Sequence, residues 1–201
     1  MAQLIPPKAP NLPFAPREYD SRAFEALTNA LRLYFNQIDG GMRQILQGFN
    51  NYASFYDTTT QANPVANVMN LVTFNTVAEG HGVVLGTPSS RITVAVAGVY
   101  NFQFSAQVDK TGGGNATMFI WFRRNGVDLT DSATKITIAG PNAETVAAWN
   151  YLITMQAGDY FELAWSSADT AVVLRAEPAA APAPSIPSVI MTVTYVYPNN
   201  T

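Results

Sequence analysis

The chain of 201 residues contains no cysteine and a single histidine, and only 12% of its residues are charged. Without cysteine there is no disulfide, no thiolate nucleophile and no cysteine-based metal site. Ordinary soluble domains are about 25% charged, and the cores of protein interfaces are depleted in charge. The shortage of charge therefore indicates a surface that is partly neutral and polar and partly covered by other chains, and we expect a homo-oligomer.

Basic clusters and long apolar runs are also missing. The formal net charge is −3 and the isoelectric point is near 5.0, whereas binding to nucleic acid needs a basic patch. No apolar run approaches the roughly 20 residues of a membrane span, and the first residues lack the basic and apolar regions of a signal peptide. We predict a protein that is made in a cytoplasm, binds no nucleic acid and does not insert into a membrane.

Residues 1–19 are rich in proline, which removes backbone donors and forbids helix. The arm is therefore predicted to be extended, with polyproline character. Between the prolines lie apolar residues that a solvated tail does not need, namely Leu4, Ile5, Leu12 and Phe14. Apolar side chains on an extended backbone make good anchors. We interpret the arm as an anchor in a groove of a partner or of a neighbouring copy; the alternative is a disordered leader.

A helical oligomerisation segment is predicted over residues 20–49. Its apolar residues recur at spacings of three and four, the pattern of helices that meet in a coiled coil. This seam consists of Phe24, Leu27, Leu31, Tyr34, Ile38 and Ile45. We predict a break or kink at Gly40-Gly41 and a second short helix over residues 42–49. So short a seam joins copies only if the body already brings them together; the alternative is a helix packed on its own body.

Residues 50–69 are predicted to be a polar linker, and residues 70–201 a β-rich head. The head consists of short apolar runs separated by turn residues. Apolar and polar residues alternate strictly over residues 99–108, and Asn125-Gly126 between two apolar runs is a strong hairpin signal. We predict an all-β fold, an antiparallel jelly-roll sandwich preceded by the extended Pro-rich arm and a short N-terminal α-helical segment.

The titratable residues of the head are not arranged for catalysis. His81 has no cysteine partner, so neither a zinc site nor a Ser-His pair is expected. Two carboxylate pairs flank turns, Asp128 with Asp131 and Asp159 with Glu162. We interpret them as caps or solvated groups rather than as Ca²⁺ ligands. We expect no enzyme activity, no cofactor and no metal site.

Two other motifs have structural explanations. The glycine run of residues 112–114 lacks the Lys-Ser/Thr of a phosphate loop, so we interpret it as a flexible turn. The tryptophans Trp121, Trp149 and Trp165 lie in strands with apolar neighbours, and we expect them in the core or in an interface rather than at a sugar-binding surface.

Three segments of the head follow one another in a recognisable order. They are Gly98-Val99-Tyr100-Asn101-Phe102-Gln103-Phe104, a strand that ends in Arg123-Arg124-Asn125-Gly126, and Ala157-Gly158-Asp159-Tyr160-Phe161-Glu162-Leu163. This order resembles the jelly-roll heads of the complement-globular and tumour necrosis factor type. The resemblance covers about residues 70–197 and implies a trimer whose apolar faces pack around a three-fold axis. The chain differs from that family in having no collagen stalk, no disulfide and no evident calcium cage.

The two ends carry a second resemblance. Asn11-Leu12-Pro13-Phe14-Ala15-Pro16, followed by Leu31-Arg32-Leu33-Tyr34-Phe35-Asn36-Gln37-Ile38-Asp39, resembles the leader of structural proteins of tailed bacteriophages, especially those of marine and cyanobacterial hosts. Ile186-Pro187-Ser188-Val189-Ile190-Met191-Thr192-Val193-Thr194 is similar to their C-terminal strand. The resemblance implies a virion protein, a homotrimeric capsid decoration or cement protein or a head fibre, whose arm binds the major capsid protein or a tail component.

Two further functions remain as alternatives. The first is a tail-associated fibre or adhesin whose head loops, residues 109–116, 130–133, 139–145 and 177–187, bind a glycan or protein of the host surface. The second is a polysaccharide depolymerase that uses a pair of carboxylates.

Overall fold

The computed structural model describes residues 8–14, 17–49 and 51–198. The chain divides into two compact units, Met1–Phe49 with Asn200–Thr201, and Asn50–Asn199. The first unit contains one helix, α1 (Ser21–Phe49). Residues 8–14 and 17–20 form neither helix nor strand.

Helix α1 begins at a side-chain cap and is continuous. The Asp20 carboxylate accepts the backbone N–H of Arg22 at 2.9 Å, and the Asp20 carbonyl accepts that of Phe24 at 3.2 Å, which satisfies donors of the first turn. The predicted break at Gly40-Gly41 is wrong, because the helix runs through both residues to Phe49. Each glycine makes the helix about 1 kcal/mol less favourable than alanine would. Glycine keeps its backbone N–H, however, so the hydrogen-bond ladder continues through both residues.

The second unit is a sandwich of two seven-stranded sheets. Sheet I contains β1 (Tyr52–Asp57), β2 (Gln61–Ala62), β4 (Thr76–His81), β7 (Gly98–Lys110), β11 (Glu144–Met155), β13 (Val172–Leu174) and β14 (Val189–Tyr197). Sheet II contains β3 (Asn70–Leu71), β5 (Val83–Leu85), β6 (Ile92–Val94), β8 (Ala116–Arg124), β9 (Val127–Asp128), β10 (Thr134–Ile138) and β12 (Tyr160–Ser167).

The pairing of the named strands is antiparallel throughout. Sheet I runs β2-β13-β7-β14-β1-β4, and β11 pairs with β7 on the edge opposite to β14. Sheet II runs β10-β8-β12-β6-β5, with β3 beside β12 and β9 beside β8. The predicted all-β jelly-roll sandwich with an N-terminal helical segment is confirmed.

Residues 50–69 are not a linker, and this prediction is corrected. Residues 52–57 form β1, which lies between β14 and β4 in sheet I. Inward-facing Ala53 and Phe55 are buried. The side-chain amide of Gln61 then holds the backbone of Thr73. It donates to the Thr73 carbonyl at 3.0 Å and accepts the Thr73 N–H at 2.9 Å. Polar residues lie between the alternating apolar residues of this segment, so the strand is hard to recognise from its sequence.

The core lies between the two sheets and is rich in aromatic rings. The inward-facing residues of β7 are buried along the whole strand. Phe102 of β7 stacks on Phe161 of β12 with ring centroids 4.0 Å apart, and Phe104 contacts Phe122 of β8 edge-on at 6.0 Å. Such contacts add about 0.5–1.5 kcal/mol each to the burial itself, so β7 and the strands opposite it form a rigid base for the outer faces.

Ionisation of Tyr100 lowers the stability of the head at high pH. Burial, reinforced by Tyr195 nearby, raises the pKa of Tyr100 to about 12 from an ordinary value of 10.0. The unfolded chain loses this proton from about pH 10 and the folded chain only near pH 12, so the stabilising contribution is complete below pH 10 and decreases as the pH rises towards 12. We expect the free energy of unfolding to fall by up to about 1.4 kcal/mol per pH unit in this range.

The measurement is urea unfolding between pH 9 and pH 12 for the unchanged chain and for Tyr100→Phe. The stability advantage of the tyrosine should shrink as the pH rises, because the phenylalanine variant lacks the titrating group. Parallel pH curves for the two proteins would contradict the assignment.

Candidate interaction surfaces

The outer face that β7, β11 and β14 form in sheet I has its charged side chains at one end, where Glu144 lies opposite Asp109 and Asp109 pairs with Arg175. We call the uncharged remainder of this surface the neutral face. Its residues alternate with the buried residues of the same strands. They are Val99, Asn101, Gln103, Ser105 and Gln107 on β7, Val146, Ala148, Asn150, Leu152 and Thr154 on β11, and Ile190, Thr192 and Thr194 on β14.

The centre of the neutral face is a row of three amide and hydroxyl side chains. Asn150 lies opposite Gln103, and Gln103 lies opposite Thr192. The apolar side chains on the same face are open to solvent, since Leu152 is 58% exposed and Val146 is 55% exposed. A face that combines exposed apolar side chains with uncharged polar groups has the composition of an interface core.

The outer face of sheet II is different, because its charges are numerous and paired. Glu162 is only 2% exposed. Its carboxylate contacts the guanidinium groups of Arg91 and Arg123, each at 3.5 Å, and accepts the Ser90 hydroxyl at 3.1 Å. Arg123 also contacts Asp128 at 2.8 Å. The two faces therefore suit different environments, sheet II water and sheet I an uncharged partner.

Three of the four carboxylates considered as Ca²⁺ ligands, Asp128, Asp159 and Glu162, have other partners. Asp128 accepts the Trp121 indole N–H at 2.9 Å in addition to Arg123. Asp159 accepts the Asn125 amide at 2.7 Å and the Gln156 backbone N–H at 2.8 Å. Asn125 and Gly126 both have positive φ, as the predicted hairpin turn requires. The carboxylates thus brace the turn that joins β8 to β9.

The remaining sequence motifs occupy structural positions. His81 ends β4 and is exposed. Trp165 is buried and Trp149 packs on Phe104 at 4.5 Å, whereas Trp121 faces outward from sheet II. In the described part of the chain no three His, Cys, Asp or Glu side chains are grouped as metal ligands, and no helix is long and apolar enough to cross a membrane.

The predicted seam lies along one stripe of α1. Leu27, Leu31, Tyr34 and Ile38 are half-buried, Phe24 is exposed, and no described side chain of the helix is buried. The side chain of Ile45 lies outside the described residues. The stripe keeps the predicted spacing, and the role of these residues in joining copies remains a prediction.

The arm residues are described only in part. Phe14 is 98% exposed and Leu12 is 48% exposed, whereas Leu4 and Ile5 lie outside the described residues. A shallow groove at the start of the helix is lined by Phe14, Tyr19 and Phe24, among others. Anchoring through these side chains remains a prediction.

Lys110 forms an internal site that was not predicted. Its side chain is fully buried, and the ammonium donates to the carbonyls of Gly112 at 3.3 Å and of Gly113 and Gly114 at 2.8 Å. Asp169 lies 4.0 Å away. The glycine run is therefore a loop wrapped around a cation. The one signal in the sequence is a lysine two residues before three glycines.

The strand order defines this unit as an antiparallel jelly-roll sandwich. No protein-family model matches the chain, and no curated protein matches it. Among solved structures, the chain is similar to the globular domain of zebrafish complement 1qA protein. The sequence identity is 16%, the match covers 74% of this chain and 99% of that chain, and the TM-score is 0.45.

Proposed function

We propose that the protein is a non-enzymatic structural protein that works as a homotrimer within a bacteriophage virion. In this proposal the neutral face of sheet I packs against neighbouring copies. The helix seam joins the copies, and the arm attaches the trimer to the particle. The charged outer face of sheet II is exposed to solvent.

We infer self-association from the difference in charge between the two outer faces. The outer face of sheet II carries a network of charged side chains, whereas the charges of sheet I lie at one end and the neutral face combines exposed Val146 and Leu152 with amides and hydroxyls. Water favours the first surface, and burial against a like surface favours the second, because no charge has to be desolvated. The arrangement supports a role in packing rather than in chemistry.

The helix seam supports the same proposal. An amphipathic helix gains most of its stability from packing its apolar stripe. Three stripes that the heads hold close together bind at a high effective concentration. A seam too short to associate alone is then sufficient to join the copies.

The copy number and the virion location rest on the sequence resemblances. Three copies are implied by the likeness to complement-globular and tumour necrosis factor heads. A capsid decoration, cement or head-fibre protein is implied by the leader and the last strand, which resemble those of tailed-phage structural proteins. Three linked arms would hold the trimer on the major capsid protein or a tail component far better than one arm.

The test compares the full chain with a variant that lacks residues 1–19. We expect sedimentation to give about three times the single-chain mass for both proteins, and a single full chain has a mass of 21.7 kDa. The full chain should remain with purified virions, whereas the shortened trimer should be released from them. A full chain that stays monomeric would overturn the trimer, and a shortened protein that still attaches would overturn the anchoring role.

A further inference from the structure

Strand β11 is a long edge strand of sheet I, because β7 is its one partner among the described strands. It has 12 residues and pairs with β7 in an unbroken register. Natural proteins protect such edges by keeping them short, or by placing a charge, a proline or a bulge in them. After its first residue, Glu144, β11 contains no charged residue and no proline. Its free edge is therefore unprotected over most of its length.

The other edge strands of the described sheets are short or carry a charge. β2 has two residues and β5 has three. β10 has five residues and includes Lys135, and β4 has six residues and includes Glu79. Among the described edges, β11 is thus the one that offers a long uncharged run to another strand.

The backbone groups of alternate residues of β11 point to this free edge. Gln107 directs its own groups to the far side of β7, where its N–H donates to the Ser188 carbonyl at 2.9 Å and its carbonyl accepts the Arg175 N–H at 2.8 Å. Val146 lies opposite Gln107, so the N–H and C=O of Val146 point away from β7. The same direction holds for every second residue further along the strand, namely Ala148, Asn150, Leu152 and Thr154.

Within the described chain, these outward groups have a partner only at the end of the strand. The Arg124 guanidinium donates to the Thr154 carbonyl at 2.6 Å. Over residues 146–152, no described residue forms a hydrogen bond with the outward backbone groups. Beside this edge, the inward-facing rings of Trp149 and Tyr151 remain half-buried. A further strand paired with β11 satisfies the free backbone groups and covers the two rings.

The two ends of β11 carry opposite charges. Glu144 is exposed at the first residue and lies opposite Asp109, whose carboxylate is already paired with Arg175. At the last residues, the Arg124 guanidinium lies against Thr154. None of the ion pairs between described residues includes Glu144 or Arg124. One end of the free edge is therefore acidic and the other end is basic.

We propose that β11 pairs antiparallel with β11 of a second copy of this chain, so that sheet I continues across a two-fold axis. In the register that joins the two ends, Glu144 of each copy lies opposite Thr154 of the other and meets its Arg124. Val146 of each copy lies opposite Leu152 of the other, so exposed apolar side chains cover one another.

The occupant is a second copy because the free edge of β11 is complementary to itself. An identical strand that runs antiparallel brings the acidic end to the basic end at both ends of the contact. A parallel arrangement brings like charges together, which is unfavourable. Pairing also needs the same free backbone groups on both strands, and the second copy has them in the same positions.

The contact goes beyond the proposed function, because it has two-fold symmetry and joins one trimer to another. A single pair of strands buries less surface than a whole sheet face does. Interfaces with a small buried area are typical of weak association. We therefore expect this contact to form at higher protein concentration than the trimer.

Charge reversal tests the antiparallel register. Glu144→Arg places like charges at both ends of the contact, and Arg124→Glu does the same. Each variant alone should need at least about tenfold higher concentration for this association than the unchanged chain, because like charges at an interface repel. An equal mixture of the two variants should associate as the unchanged chain does, since each end then joins an arginine to a glutamate. Sedimentation over a dilution series measures all three samples.

Two further variants make the test specific. Glu79→Arg is the matched control, because it makes the same substitution at an exposed position of edge strand β4, and it should leave the association unchanged. Ala148→Pro removes an N–H that points away from β7, a position where an edge strand tolerates proline. This variant should keep its thermal melting transition and lose the two-fold association. If Arg124→Glu does not fold, the result for Ala148→Pro decides.

The outcomes separate this inference from the proposed function. A trimer that associates no further, or whose further association is unchanged in Glu144→Arg and Ala148→Pro, overturns the inference and leaves the trimer standing. Single variants that both weaken the association but are not rescued by mixing overturn the antiparallel register and with it the inference. A dimer that shows the rescue, with no trimer at any concentration, supports the inference and overturns the proposed trimer.

Discussion

Gln103→Glu will dissociate the proposed trimer at concentrations where the unchanged chain stays associated. Gln103 lies at the centre of the neutral face, between Asn150 and Thr192. Glutamate has nearly the same shape as glutamine, so the change adds little except a negative charge. An unpaired charge that is removed from water costs several kcal/mol. At about 3 kcal/mol per copy, the concentration of half-dissociation should rise at least about 100-fold.

Sedimentation over a dilution series measures this shift, and two controls accompany it. Val84→Glu places the same charge on the outer face of sheet II and should leave the association unchanged. Lowering the pH below the ordinary glutamate pKa of about 4.3 protonates the new side chain and should restore the trimer. If Gln103→Glu associates as tightly as the unchanged chain at neutral pH, the neutral face is not the interface.

The sequence predicts those elements whose signal is local. Strand β11 begins at Glu144 and ends at Met155, between turn residues at Gly140-Pro141 and Ala157-Gly158, and β7 covers the predicted residues 99–108. Both strands are long and bounded by turn residues, and β7 alternates strictly between apolar and polar side chains, so the sequence itself specifies them. The Asn125-Gly126 turn belongs to the same group, because positive φ at both positions is a property of those two residues.

Alternation does not decide which face of a strand is buried. Along β11, one face presents Val146 and Leu152 and the other presents Trp149 and Ile153, and all four are apolar. The pairing with β7 turns the second face inward. Long-range pairing therefore determines which residues form the neutral face. From the sequence alone, only the low content of charged residues can be recognised.

The elements that were missed depend on distant partners. Strand β4 is almost wholly exposed and is held by β1 alone. The hairpin of residues 176–187 exists because a line of pairing along β7 is interrupted and then resumed in register. Neither property leaves a periodic pattern within the segment itself.

Lys110→Met will destabilise the head by about 3 kcal/mol. The ammonium is fully buried, and it donates to the three carbonyls of Gly112, Gly113 and Gly114. Hydrogen bonds to charged groups contribute about 1.5–3 kcal/mol each. Methionine fills a similar volume but leaves those carbonyls without their donor. We also expect faster amide hydrogen exchange at residues 111–115, because the carbonyls of this loop lose the ammonium that holds them.

Lys135→Met is the matched control, since Lys135 lies exposed on β10 and the substitution is the same. A surface change of this kind is worth within about 0.5 kcal/mol. Urea unfolding of the two variants at the same protein concentration measures the difference, so that any association affects both equally. Equal stabilities for Lys110→Met and Lys135→Met would contradict this prediction. They would mean that the glycine loop keeps its structure without the ammonium and that the buried lysine does not stabilise the fold.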